Sequence, residues 1–431
     1  MIYHFNMRRK KNNILLFFFL ILIKSHAAYI IIPMDDVQKN HLKAYGIAFL
    51  SLQKTIEVDW LLNYRGGSFG LKQSVAIEKE CKIRGVSYEI LADVQYNNII
   101  LEISNPEINQ EVMKLEKAPK IAIYSPKNKQ PWDDAVTLVM TYAEIPYDVV
   151  YDDEIINGDL SKYDWLHLHH EDFTGQYGKF WSSYKNVAWF QEYVRFNENL
   201  AGKLGFDKVS ELKLAVAKNI KQYVSNGGFM FAMCAATDSY DIALAAENTD
   251  ICKNMFDGDP SDPAMQDKLN FMNGFAFKNY NLVTNPHEYE FSSIDATKEH
   301  SKLVRSKGIK NDIFTLFEFS AKWDPVPTML CQNHESIIKG FMGQTTAFKK
   351  ENLRSDVLVL GETKIINSAR YIHGKFGKGT WTYYGGHDPE DHTHRVSDPA
   401  TDLNLFPNSP GYRLILNNVL FPAAKKKKRK T

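Results

Sequence analysis

Short apolar runs, each long enough for one buried strand, alternate along this chain with stretches in which apolar residues recur at helical spacing. From residue 119 onward the first strand candidates are residues 120–124, 147–151, 163–170 and 229–233, and later ones are residues 313–319, 336–341, 357–360 and 380–384. The helix before residues 229–233 ends at Gly227 and Gly228, which are typical helix-terminating residues. Apolar strands that alternate with helices are typical of parallel sheets covered by helices on both faces. The pattern therefore predicts an α/β protein with a parallel sheet.

The same alternation occurs nearer the N-terminus. Strand candidates there are residues 29–33, 58–64 and 86–91. With helices between them, they indicate parallel βαβ connections in a smaller α/β unit over residues 28–117. The polar residues 105–117 predict a linker to the main domain, residues 118–424. Within that domain, residues 240–310 are rich in Asp, Asn and Pro and indicate an insertion or lid.

Residues 1–27 predict a cleavable secretory signal peptide. Basic residues 8–11 precede a ten-residue apolar run, residues 14–23, and small residues follow up to Ala27. The run is too short to span a bilayer, which takes roughly 20 residues. We therefore expect an exported protein, periplasmic or extracellular, whose mature chain begins at Ala28 and has no membrane span.

The amino-acid composition limits the classes of partner that we expect for this protein. The chain has 52 basic and 51 acidic residues, and 44% of its residues are hydrophobic. This balance predicts a substantial core and excludes nucleic acid as an expected partner. The basic tail, residues 425–431, reads as a solvated terminus. The four cysteines allow either two disulfides, with three pairings, or free thiols.

Cys234 is the first candidate catalytic residue. It follows the apolar run 229–233 directly, and small residues stand two positions before and after it, at Ala232 and Ala236. A sharp strand-to-helix turn that presents a nucleophile needs small residues there because the backbones crowd. The helix N-terminus that follows would favour a thiolate and offer N–H groups to an oxyanion. The alternative is a small buried cysteine after a core strand.

Residues 385–395 concentrate three histidines and several carboxylates in one loop. The loop follows the predicted strand 380–384, and ligands bind at the carboxyl ends of strands in open parallel sheets. These groups, which include His387, Asp388 and Glu390, could supply a general base and the carboxylate that orients it, or equally the ligands of a metal ion.

A second histidine group ends the predicted strand 163–170. His169 and His170, together with His387, would offer nitrogen ligands suited to zinc. The alternative is that these are hydrogen-bonded structural histidines. No cofactor other than this zinc ion is expected.

Four residues are candidates for binding the substrate: Arg65, Trp132, His169 and His170. Arg65 precedes Gly66 and Gly67, and a guanidinium with neighbouring backbone N–H groups can hold a carboxylate or phosphate. The alternative for this segment is a turn.

The segment from about Lys120 to Leu420 resembles the class I glutamine amidotransferase-like superfamily. Residues 232–236 and 379–388 carry the resemblance. It implies a flavodoxin-like sheet and a cysteine nucleophile, here Cys234, that pairs with His387. In the superfamily a Glu follows that His by two positions and glycines flank the cysteine turn. Here Glu390 follows His387 by three positions and the flanks are alanines.

Over nearly its whole mature length the chain is also similar to a family of exported proteins from Bacteroidota that is labelled asparagine synthetase B. Residues that carry this similarity are 32–35, 60–69, 163–180, 229–241, 322–332 and 385–390. It implies glutamine-hydrolysing asparagine synthesis. Two features oppose that activity: the mature chain would begin with Ala28 instead of a cysteine, and no Ser-Gly-Gly-x-Asp-Ser loop for ATP is present.

Three classes of function follow. The first is an exported hydrolase or amidase with Cys234 as the nucleophile and His387 as its base. The second is a metal-dependent hydrolase that uses the histidines, and the third is a non-catalytic binding protein of the cell envelope. All three imply a small-molecule substrate or ligand.

Overall fold

A computed structural model describes residues 28–127, 131–168, 170–332 and 335–424. The predicted signal peptide and the basic tail lie outside these residues. The described chain forms two sheets and their covering helices. No helix among the described residues is long and apolar enough to cross a membrane.

The N-terminal sheet is antiparallel throughout. Its strands are β1 (Ala28–Ile32), β2 (Val58–Leu62), β3 (Ser68–Lys72), β4 (Glu89–Ala92) and β5 (Glu111–Leu115), in the spatial order β4-β1-β3-β2-β5. The helices of this part are α1 (His41–Gln53), α2 (Val75–Arg84) and α3 (Asp93–Ser104). The predicted parallel βαβ rhythm is therefore wrong for this unit.

Two local features explain the difference. Gly66 and Gly67 have φ values of 77° and 88°, which most other residues avoid, and they turn the chain back as a hairpin so that β3 pairs with β2. The predicted linker contains β5, which pairs with the other edge of β2. Neither short strand is apolar enough to stand out in the sequence.

The large sheet has a parallel half and an antiparallel half. The parallel strands are β6 (Ile121–Tyr124), β7 (Asp148–Val150), β8 (Trp165–Leu168), β9 (Phe229–Met233) and β15 (Gly379–Tyr384), in the order β7-β6-β8-β9-β15. The antiparallel strands are β10 (Ile313–Leu316), β11 (Ile337–Lys339), β12 (Phe348–Lys349), β13 (Leu358–Thr363) and β14 (Ser368–Phe376). They continue from β15 as β14-β13-β10-β11, with β12 beside β14. The predicted α/β class is confirmed.

Helices cover the large sheet, and short 3₁₀ turns join several of the elements. The helices are α4 (Ala135–Ala143), α5 (Asp152–Ile156), α6 (Trp181–Tyr184), α7 (Ala188–Lys203), α8 (Val209–Ser225), α9 (Ala235–Ala245), α10 (Asn254–Asp257), α11 (Thr297–Lys307) and α12 (Pro410–Leu420). The predicted insertion, residues 240–310, contains α10 and α11.

Strand β9 is apolar on both faces because it separates two cores. Phe231 and Met233 belong to the core on one side, and Met230 and Ala232 to the core on the other. Burial of both faces requires a continuous apolar run instead of an alternating one. Because this run is buried on both faces, it fixes the position of the residue that follows it, Cys234.

A buried charged cluster ties the two halves of the structure together. The carboxylate of Asp312, just before β10, accepts a hydrogen bond from Arg370 of β14 at 2.6 Å and contacts His300 of α11 at 2.9 Å. Its other oxygen lies 3.2 Å from Nε2 of His392 in the loop after β15. Asp312 therefore anchors that loop to the antiparallel half of the sheet.

We expect Asp312→Asn to lower the free energy of unfolding by about 3–5 kcal/mol, because it leaves the buried Arg370 guanidinium without a counter-charge. Urea unfolding of the purified protein measures this change. Glu247→Gln, which breaks the exposed pair with Lys218, is the control and should cost less than about 1 kcal/mol. Equal effects of the two substitutions would contradict an anchoring role for Asp312.

Candidate active site

Parallel pairing brings the carboxyl ends of four strands to one edge of the sheet. Tyr124 lies opposite Leu168, Leu168 opposite Ala232, and Tyr384 opposite Met233. The segments that follow these strand ends carry Asp133, His170, Cys234 and His387, respectively. A single site therefore collects side chains that are up to 254 residues apart, from position 133 to position 387.

Cys234 occupies the sharp strand-to-helix turn that the sequence predicts. Its φ of 53° and ψ of −137° lie in a region that few residues other than glycine adopt, and α9 begins at the next residue. Ala232, Ala235 and Ala236 around it are fully buried, which leaves no room for larger side chains. The Cys234 side chain itself faces the cavity described below and is 4% exposed.

His387 lies beside Cys234 and Asp133. One of its ring nitrogens is within 4.8 Å of the Cys234 sulphur, and its Nε2 lies 3.8 Å from Oδ1 of Asp133. Burial lowers the pKa of an imidazolium, but attraction to Asp133 and Cys234 outweighs it here and raises the pKa of His387 to about 10. This geometry favours a charged imidazolium next to the sulphur.

Three imidazole rings stack at the site. The ring of His387 lies between those of His170 and His394, at centroid distances of 4.2 Å and 4.4 Å. His394 is held on both sides, with Nε2 at 2.7 Å from Asp133 and Nδ1 at 3.0 Å from Asp391. The stack restricts the rotation of the central ring.

Asp133 is positioned by its neighbour. Asp134 caps α4 by accepting the Thr137 N–H at 2.7 Å, and its other oxygen lies 2.9 Å from Nε2 of His167. The second ring nitrogen of His167 contacts the carbonyl of Phe231 at 3.1 Å. His167 is thus a buried structural histidine that fixes the start of α4.

The two carboxylates predicted to orient His387 have other partners. Asp388 accepts the backbone N–H groups of Glu390 and Asp391 and so shapes its own loop. The carboxylate of Glu390 lies 3.8 Å from Nζ of Lys339. No hydrogen bond or ion pair within the described part of the chain joins either of them to His387. The carboxylate beside His387 is that of Asp133, which is not among the candidate residues of the sequence analysis.

The candidate substrate-binding residues do not all lie at one site. Trp132 and His170 line the cavity above Cys234. Arg65 lies in the hairpin of the N-terminal sheet, where its guanidinium pairs with Asp35 at 2.7 Å and Glu89 at 2.9 Å. It does not line the cavity, so the turn interpretation of its segment holds. His169 lies outside the described residues.

The cavity has a volume of about 420 Å³, in the range of small-molecule sites. Its aromatic wall consists of Trp132, Phe180 and Tyr289, and His170, Cys234 and His387 lie at its base. Its other lining residues are Thr297, Ser301, Val304, Arg305, Met342, Gly343, Gln344, His392, Thr393, His394, Arg395 and Val396. Several come from segments with no motif in the sequence, including α11 and the loop at Gln344.

Two groups of side chains at this site could hold a metal ion. Ligand atoms of His170, Cys234 and His387 lie within 4.8 Å of one another, and so do those of Asp133, His387 and His394. Nitrogen and sulphur ligands of this kind suit zinc. The predicted metal ligands His170 and His387 are therefore together, with Cys234 as the third donor.

No protein-family model matches the chain, and no curated protein matches it. Solved structures with some similarity include a cytoplasmic protein from Salmonella typhimurium, with 11% identity and a TM-score of 0.33 over 71% of this chain and 100% of that one. A second cytoplasmic protein, from Salmonella typhimurium LT2, has 10% identity and a TM-score of 0.36 over the same shares. A β-galactosidase from Bacillus circulans sp. alkalophilus has 11% identity and a TM-score of 0.25 over 64% of this chain and 29% of the enzyme. Similarity this low says nothing about function.

The strained turn at Cys234 predicts a difference in stability between two substitutions at this position. Cys234→Gly and Cys234→Ala both remove the thiol, but only alanine keeps a Cβ in the strained conformation. We expect the glycine variant to be more stable than the alanine variant by about 1–3 kcal/mol in urea unfolding. At unstrained Cys81, in the middle of α2, the order should reverse, because glycine weakens a helix.

Asp133→Asn should lower the pKa of His387, since it removes one of the two groups that raise it. Titration of the imidazole resonances by NMR measures this shift.

In the wild type the pairing of His387 stabilises the fold fully below about pH 6.5, and this contribution is lost as pH rises through about 10. The free energy of unfolding should therefore fall across this window. The fall should begin at lower pH in Asp133→Asn. Asp391→Asn, which affects His394, is the control and should leave the His387 titration in place.

Proposed function

We propose that the protein is an exported cysteine hydrolase of the amidase type, with Cys234 as the nucleophile, His387 as the acid and base, and Asp133 as the group that holds His387. One observation carries the proposal: a cysteine in a strained strand-to-helix turn has a histidine beside it, and that histidine lies 3.8 Å from the half-buried carboxylate of Asp133. Nucleophile, base and orienting group within reach of one another are the pattern of covalent catalysis.

The reaction follows from this arrangement. The sulphur of Cys234 attacks the carbonyl carbon of the substrate and forms a C–S bond, while the imidazolium of His387 gives its proton to the departing amine and the C–N bond breaks. Neutral His387 then takes a proton from water, and the hydroxide attacks the thioester. The C–S bond breaks, the carboxylic acid leaves, the sulphur departs as a thiolate, and His387 keeps the proton that it took from water. Each proton and bond is accounted for without a further reactant.

Backbone N–H groups are available for the oxyanion of the intermediate. The first N–H groups of a helix have no partner within it, and here they belong to Ala235 and Ala236, directly after the nucleophile. The N–H of Gln344 donates a hydrogen bond to the Cys234 sulphur at 3.2 Å. The side chain of Gln344 is held by the carbonyls of Gly178 and Tyr289, which fixes that N–H.

The strand order supports a flavodoxin-like assignment for the parallel half. If its strands are counted along the chain, the order β7-β6-β8-β9-β15 reads 2-1-3-4-5, which is the flavodoxin-like order. The antiparallel half is an addition to that arrangement. This order also agrees with the resemblance to class I glutamine amidotransferase-like proteins, in which Cys234 and His387 would have the same roles.

We expect iodoacetamide to alkylate Cys234 faster than free glutathione at about pH 6, where an ordinary thiol of pKa about 8.5 is almost fully protonated. We also expect p-nitrophenyl acetate to release one equivalent of p-nitrophenolate in a burst and to leave an acetyl group on Cys234. Mass spectrometry of the peptides identifies the modified residue. His387→Gln should bring alkylation down to the rate of the free thiol.

The chain supplies its own controls. Cys81, Cys252 and Cys331 are fully buried, and burial raises the pKa of each thiol, to about 12 for Cys81 and Cys331. All four cysteines are described and none forms a disulfide. These three should stay unmodified in the folded protein. A Cys234 that reacts no faster than glutathione and gives no burst would contradict the proposal and favour a non-catalytic binding protein.

A metal-dependent hydrolase is the second candidate, because His170, Cys234 and His387 form a possible zinc site. The same alkylation experiment separates the two. Bound zinc would protect Cys234 until a chelator is added, and elemental analysis would find one zinc per chain. A reactive Cys234 in metal-free protein that keeps its burst would exclude this candidate. Literal glutamine-dependent asparagine synthesis remains opposed by the two sequence features given above.

A further inference from the structure

We propose that the substrate of the Cys234 site carries an anionic group, such as a carboxylate, joined to an apolar or aromatic body. This inference rests on the proposed function, since it concerns the molecule that Cys234 would attack. It comes from the distribution of charge around the cavity.

The cavity lining contains cationic and neutral residues only. Two arginines, Arg305 and Arg395, are among its lining residues, together with four histidines, and no Asp or Glu is among the residues that form its wall. The protein as a whole has nearly equal numbers of acidic and basic residues. The one-sided lining is therefore a property of this site and does not reflect overall composition.

Arg305 reaches the cavity from α11. Thr297, Ser301 and Arg305 are spaced by four residues and share one face of this helix, and all three line the cavity. Arg305 is exposed in the last turn, so its guanidinium is available at the mouth. The predicted insertion thus contributes one wall of the site.

Arg395 reaches the cavity from the loop after β15. Its backbone N–H donates to Asp398 at 2.9 Å, which fixes the loop at that residue. Two other carboxylates of this region pair with other side chains: Asp391 contacts His394, and Asp312 contacts Arg370 and His392. Within the described part of the chain, neither Arg395 nor Arg305 forms an ion pair with a carboxylate.

The aromatic part of the cavity lining suits an apolar group. The ring of Phe180 lies 5.5 Å from that of Trp132 and 5.7 Å from that of Tyr289, so the three rings form one continuous surface. A planar or aliphatic body would pack against them, while its anionic end would face the two arginines. Positive charge at the mouth of a concave, partly apolar site also attracts anions from solution.

The first test compares two alkylating reagents of similar size at Cys234: anionic iodoacetate and neutral iodoacetamide. The rate with iodoacetate is divided by the rate with iodoacetamide, and this ratio is divided by the same ratio for glutathione. The result measures the preference of the site for an anion. We expect a ratio above one that falls with added salt and drops roughly two- to fivefold in Arg305→Gln and in Arg395→Gln. Lys302→Gln removes the same charge from α11 at a residue that does not line the cavity, and it should leave the ratio unchanged.

The second test does not depend on the nucleophile. Calorimetric titration of the Cys234→Ala variant with phenylacetate and with phenylacetamide compares an anion and its neutral counterpart. We expect tighter binding of phenylacetate, and loss of that preference in the variant that also carries Arg305→Gln and Arg395→Gln. Equal binding of the two ligands, or a rate ratio of one, would overturn the inference even if Cys234 is a reactive nucleophile. A Cys234 without enhanced reactivity, together with preferred binding of phenylacetate, would instead refute the proposed hydrolase and leave an anion-binding site.

Discussion

The parallel pairing of β9 with β8 on one side and β15 on the other is the constraint on which the site depends. The strand register places Leu168, Ala232 and Tyr384 near one edge of the sheet, so the next residues along the chain converge there. Hydrogen bonding between strands, and not any contact among the site residues, thus brings Cys234 to His387. Core packing on both faces of β9 then keeps the strand from sliding.

The site also depends on buried polar contacts that act at a distance from Cys234. Asp134 holds His167 and the start of α4, and through them the position of Asp133. Asp312 holds the loop that carries His392 and His394. Buried charges of this kind are costly when a partner is missing. They specify one arrangement of the loops because any other would leave a charge unpaired.

Sequence reasoning reached Cys234 and His387 because each follows an apolar strand and carries a local pattern of small residues or clustered histidines. It missed Asp133, because an acidic residue before a helix is ordinary and its value lies in the distance to His387. It also chose Asp388 and Glu390 for their closeness in sequence, whereas the chain turns both toward other partners. The weak strand β5 was missed for a related reason: its pairing partner, β2, lies far from it along the chain.

The sequence by itself determined the α/β class, the strand-to-helix turn at Cys234 and the histidine-rich loop, because each depends on local periodicity or on residue types within a few positions. Only the tertiary structure decided the antiparallel pairing of the N-terminal sheet, the choice of Asp133 beside His387 and the cationic lining by Arg305 and Arg395. Those features depend on which segments meet in space, and Asp133 and His387, for example, are 254 positions apart in the chain. Distance in space, and not distance along the chain, sets the strength of charge interactions and hydrogen bonds.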